Sequence, residues 1–229
     1  MKLNKKKVLV TALAVSLIAI LSFGTIAWFS DTDEVTNKFM VADSTQNPDK
    51  IFSVEVWEQV DQDKDGDYDA ALFRNGYTYE KILPGDSLGK KPWVRNTGAY
   101  DQYIRVKVTL DHAQEWKDMD VAISDLIDVD NATWTRNDSE TTTVGNKVTY
   151  VYYLNRILEP YDEGGKEAYL FTNVTIPEKL TQTDMAEFTQ GLFAMDIVAE
   201  AVQTEHVCTV TGNVSVDAIA AFDTVMDNK

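Results

Sequence analysis

The sequence predicts an all-β chain with a few short helices, folded as an antiparallel β-sandwich. Two patterns carry this expectation. Apolar and polar residues alternate strictly over several separate stretches, as half-buried strands require. Turn-forming residues lie between those stretches, without the strand-helix rhythm that a parallel sheet needs. Along the chain, Phe52, Val54, Val56 and Val60 share one face of 51–60. Ile104, Val106, Val108 and Leu110 alternate with Tyr103, Arg105, Lys107 and Thr109. The stretches 147–154 and 168–176 are rich in β-branched and aromatic residues, which suit a pleated, half-buried surface. Phe193, Met195, Ile197, Ala199 and Ala201 share one face of 192–202. Pro84-Gly85-Asp86, Asn96-Thr97-Gly98, Gly145-Asn146 and Gly164-Gly165 supply the turns. Helical spacing is present over 111–128, over 178–190 after Pro177, and over 215–226.

Composition narrows the function classes. Of 229 residues, 44% are hydrophobic and 10% aromatic, enough to build a packed core. The formal net charge of −16 argues against a nucleic-acid partner, because neutralising phosphates takes a surplus of Lys and Arg. The lone Cys208 rules out an intrachain disulfide and a Cys-rich zinc site. Set among β-branched residues, it reads as a small core hydrophobe. The N-terminus has the layout of a secretory signal: Lys2, Lys5, Lys6 and Lys7, an apolar run from Val8 to Phe23, then small residues ending at Ala27. The expectation is a signal peptide over 1–27, cleaved after Ala27, with contact to the membrane only before cleavage. The competing reading is a retained anchor, since Val8 to Phe29 is long enough to span a bilayer.

Four segments, in order, carry a family resemblance: GTIAWFSDTDEVTNKFMVAD; LPGDSLGKKPWVRNTGAYDQYIRVKV; VTYVYYLNRILEPYDEGGKEAYLFTNVTIP; and IVAEAVQTEHV. Together they resemble the TasA/camelysin family of exported biofilm-matrix proteins processed by a SipW-type signal peptidase. Two departures stand out. The turn at Glu159-Pro160-Tyr161-Asp162-Glu163 lacks the glycine that usually follows that proline, and the last segment lacks a tryptophan. The resemblance implies a jelly-roll-like form of the antiparallel β-sandwich, and secretion to the extracellular matrix or cell surface of a Gram-positive bacterium. It implies self-assembly into fibres, with the N-terminal segment of one copy adding a strand to the next, and contact with other matrix proteins or polysaccharide. The donor segment would be 28–44, ahead of a sandwich over 45–229. Trp28, Phe29, Val35, Phe39 and Val41 would fill pockets in the neighbour. The same segment could instead form its own domain's first strand.

The most chemical motif is Asp61-Gln62-Asp63-Lys64-Asp65-Gly66-Asp67-Tyr68-Asp69. Carboxylates at alternate positions followed by a glycine match the first half of a calcium loop, whose ion needs six to eight hard oxygens. Asp61, Asp63, Asp65, Asp67 and Asp69 are the candidate calcium ligands. Leu72 stands where an EF-hand supplies its bidentate Glu, so the full EF-hand pattern fails. The bland alternative is a solvated acidic loop.

Camelysin-like relatives are described as metalloendopeptidases, which makes a cell-surface protease the alternative function. A zincin needs two histidines four apart with a Glu between them. His112 has Glu115 nearby and no second His, and His206 is remote in sequence. No catalytic residue is therefore assigned. A third alternative is a monomeric, calcium-stabilised adhesion module. Trp93, Trp116 and Trp134 suit either carbohydrate stacking or, more commonly, core packing.

Overall fold

A computed structural model describes residues 30–34, 52–69, 76–188 and 193–227. The predicted signal peptide with its cut at Ala27, and all five predicted donor side chains, lie outside these residues. Among the described residues no helix is long and apolar enough to cross a membrane.

Two antiparallel sheets face each other. The first runs β1 (Ser30–Glu34), β10 (Met195–Gln203), β4 (Gln102–Asp111), β7 (Lys147–Leu154), β5 (Trp134–Arg136), with β6 (Thr142–Val144) also on β7. The second runs β2 (Val54–Val60), β3 (Ser87–Asn96), β8 (Glu167–Tyr169), with β9 (Asn173–Thr175) on the same edge of β3. The fold is thus the all-β sandwich that the alternation predicts, with few and short helices.

The core lies where the period-2 pattern puts it. Ile104, Val106, Val108 and Leu110 of β4 and Ile197, Ala199 and Ala201 of β10 pack against Val54, Val56, Leu88 and Val94 of the opposite sheet. Fully burying a side chain such as Val108 contributes on the order of 1.5–3 kcal/mol. Trp134 is fully buried, and its indole N–H donates to Tyr169 O at 2.7 Å. Trp93 and Trp116 are also buried, which is the packing reading of the three tryptophans.

The outer face of the first sheet departs from the pattern, because it is covered as well. The helix α4 (Val214–Phe222) lays Ala218, Ala221 and Phe222 on Tyr103, Val151, Tyr153 and Val202. Asn213 caps this helix, accepting from Val216 N, and the Asp217 carboxylate accepts from Thr211 N and Thr211 Oγ1 at 2.8 and 2.6 Å. The Thr211 hydrogen bonds hold the Asp217 carboxyl below its usual value.

Three predicted elements come out differently. The predicted helix over 111–128 is two short ones, α1 (Ala113–Asp118) and α2 (Ile123–Leu126). Strand β4 runs on through Asp111, and Asp120 takes a left-handed conformation (φ 55) that ends the first turn. The predicted strand 168–176 is split into β8 and β9. The Asp128 carboxylate pinches the chain between them by accepting from Thr172 N and Asn173 N at 2.8 and 2.9 Å. Of the predicted helix 178–190, the described residues 178–188 form only the short α3 (Gln182–Ala186), opened by a capping box in which Thr181 and Asp184 bond each other's backbone N–H.

Candidate functional site: an acidic loop and a strand-bearing edge

The acidic loop leaves β2 at Val60 and is tied at both ends. Asp61 N donates to Gly89 O at 2.9 Å, and Asp69 N donates to Val60 O at 3.0 Å. Gly89 is needed for the close approach of β3: a Cβ there would sit 2.6 Å from Asp61 Cβ. Asp61 is only 5% exposed. Its two oxygens accept from Asp65 N and Gly66 N at 3.2 and 2.8 Å, which curls the loop around it. Lys64 and Gly66 complete the turn with positive φ (60 and 96), the second in a region that glycine enters at little cost.

This turn gathers one carboxylate oxygen each from Asp61, Asp63 and Asp65 within 4.8 Å of one another. Calcium holds its oxygens at 2.3–2.6 Å, so ligands on opposite sides of one ion lie about 5 Å apart. The three oxygens therefore fit around a single ion, with backbone carbonyls and water left to supply the rest. Of the other two predicted ligands, Asp69 turns its carboxylate to Gln62 N at 2.7 Å, and neither it nor Asp67 belongs to the cluster. The charge of Asp65 raises the Asp63 carboxyl above its usual value. Lys64, from the same loop, points its ammonium away to Asp86 at 3.2 Å.

The N-terminal segment contributes the second feature. Its residues Ser30–Glu34 form β1, antiparallel to β10 at the edge of the first sheet, with Ser30 opposite Val202 and Glu34 opposite Val198. Strand β10 carries β4 on its other side over its whole length. Strand β1 is therefore the edge strand of the first sheet, and β10 lies inside it between β1 and β4.

The two histidines sit in different surroundings. His112 Nδ1 lies 3.0 Å from Asp111 Oδ1, and its ring meets Phe188 edge-on at 5.4 Å. His206 is exposed. Glu115 accepts from Asn146 Nδ2 at 2.8 Å, a bond that lowers its pKa. Among the described residues neither histidine joins a cluster of three potential metal ligands. Cys208 is partly buried and donates to Asp217 O, and burial pushes its thiol up, away from the reactive thiolate.

One group of residues escaped the sequence pattern. Arg105, on the polar side of the β4 alternation, is 2% exposed. Its Nε donates to Glu200 Oε2 at 2.6 Å, Lys107 Nζ holds Glu200 Oε1 at 2.8 Å, and the guanidinium lies 4.5 Å over the Phe222 ring. Tyr153 OH, 3.4 Å from Arg105 Nη1, donates to Glu140 at 2.8 Å. A charged residue on two neighbouring strands, with apolar spacing in the C-terminal helix, was the available signal.

Neither a protein-family model nor a curated protein matches the chain.

Proposed function

We propose that this chain is an exported structural protein of a bacterial extracellular matrix, a member of the TasA/camelysin group. It assembles with copies of itself when the N-terminal segment of one copy occupies the β10 edge of the next. The observation that carries this reading is the pairing of β1 with β10. Five residues from the N-terminal segment hold the edge by backbone register, a mode of recognition that another copy of the same segment satisfies equally. The stretch 35–53 separates β1 from β2. Fully extended, it reaches on the order of 60 Å, enough to cross to a neighbouring sandwich. The acidic surface keeps free copies apart in solution. Calcium held by Asp61, Asp63 and Asp65 would neutralise the loop beside β2 and stiffen the sandwich in a calcium-rich exterior.

The test is disulfide trapping. Glu34→Cys and Val198→Cys face each other across the β1–β10 register. They are combined with Cys208→Ser and oxidised under assembly conditions. A ladder of covalent multimers on a non-reducing gel is expected. Oxidation confined to the single chain at every concentration contradicts donation and leaves β1 as the domain's own first strand.

A further inference from the structure

A cavity of about 400 Å³ opens between the two sheets, where β4 ends and β10 begins. Glu58 lines it from β2 and is fully buried, although the alternation of β2 reserves that side for apolar residues. Its Oε2 is paired with the ammonium of Lys90. Its Oε1 has no hydrogen-bond partner among the described residues. Tyr79, which also lines the cavity, does not satisfy it, because its hydroxyl donates to Gly89 O. A fully buried carboxylate oxygen left without a donor is costly, and native structures rarely keep one without a use for it. Asp111 and Asp196 line the cavity from the first sheet. Asp111 accepts from Ala194 N at 2.7 Å and lies 3.0 Å from His112 Nδ1, and Asp196 lies 3.9 Å from the mostly exposed Lys147 ammonium. Three carboxylates thus face the space against the single ammonium of Lys90, among the described residues. Leu88 and Ile197 give it apolar walls.

We propose that this cavity is a binding site for a primary ammonium group on an apolar stem, carried by a small amine or by a lysine side chain of a polypeptide. The ammonium donates to Glu58 Oε1, which supplies the missing hydrogen bond and makes it charge-assisted. The negative balance of the lining selects a cation over a neutral alcohol, and the stem replaces water along Leu88 and Ile197. The inference does not depend on strand donation, and its test reads binding alone.

The chain from Trp28, which contains every described residue, is labelled at Ile, Leu and Val methyl groups and titrated by NMR with n-butylammonium. Parallel titrations use n-butanol, butyrate and Nα-acetyl-lysine methylamide. Saturable shifts at Leu88 and Ile197 with n-butylammonium, at a dissociation constant on the order of 1 mM or tighter, are expected for so small a ligand. The alcohol and the acid should bind at least about tenfold more weakly. Tighter binding of the lysine derivative identifies a polypeptide as the source, and tighter binding of the free amine identifies a small molecule. Glu58→Gln should abolish the shifts. Asp196→Asn, at a more exposed position that leaves the buried pair intact, should weaken them several-fold. No shift with either amine, or equal affinity for n-butanol and n-butylammonium, overturns the proposal.

Discussion

Two clusters of charge in this molecule follow opposite plans. Under α4, Arg105, Glu200, Lys107, Glu140 and Tyr153 alternate in sign or hydrogen-bonding role, and Arg105 and Glu200 are almost wholly withdrawn from water. At the end of β2, Asp61, Asp63 and Asp65 repeat one sign in a loop that is mostly exposed. The first cluster is complete in itself. Each partner exists to offset the desolvation of another, and removing one strands the rest. The second is incomplete. Its backbone brings like charges together, and the resulting repulsion is relieved by a proton or a cation. Partnered opposite charges act as a structural lock between sheet and helix, whereas the gathered like charges are where the proposed calcium would bind.

The largest effect is expected from Arg105→Ala. It leaves Glu200 buried with only Lys107, and should cost about 3–5 kcal/mol in urea denaturation. The pair Arg105→Met with Glu200→Leu, which removes both charges, should recover most of that loss. A loss well under 1 kcal/mol for Arg105→Ala would show that the cluster is not a lock. Next in size is Gly89→Ala. The new methyl meets Asp61 Cβ at 2.6 Å and should cost about 1–3 kcal/mol, with weaker calcium binding by calorimetry. The change Asp63→Asn separates the plans by sign. Without calcium it should leave the melting temperature unchanged or higher, and with calcium it should lower the affinity. A fall in calcium-free stability would contradict the repulsion.

The smallest effect is a pH difference. Asp63 has its carboxyl raised above 3.8 by Asp65, so acidification protonates it early, relieves the loop and takes away a carboxylate that the proposed calcium would use. Asp184 and Asp217 are held below 3.8 by bonds from Thr181 and Thr211. Their contribution is complete above the unfolded value and fades as pH falls through the lowered one. Calcium release followed by isothermal titration should therefore begin at a higher pH than acid unfolding followed by circular dichroism.

The same contrast explains what was legible in the sequence. The core faces of β4 and β10 follow from residues two apart, so local periodicity suffices to assign Val106 or Ala199 to the interior. The acidic loop is local as well, and its first three alternate aspartates are the ones that meet. Arg105 was not legible, because alternation identifies the two faces of a strand but not whether a distant helix such as α4 covers the second. Glu58 was missed for a related reason: its partner Lys90 lies on another strand. The division of 168–176 into β8 and β9 depends on Asp128, a clamp that no local pattern announces. Asp69 looks like a ligand by spacing alone, yet its carboxylate serves to close the loop on Gln62.

Strand donation between copies needs the N-terminal strand to leave its own sheet for a neighbour's. Negative-stain electron microscopy of residues 28–229 beside a chain beginning at Thr45, each with and without calcium, tests it most directly. Donation between copies predicts fibres from the longer chain alone, more abundant with calcium. Single particles from both chains in every condition, or fibres from the chain that lacks β1, would contradict it.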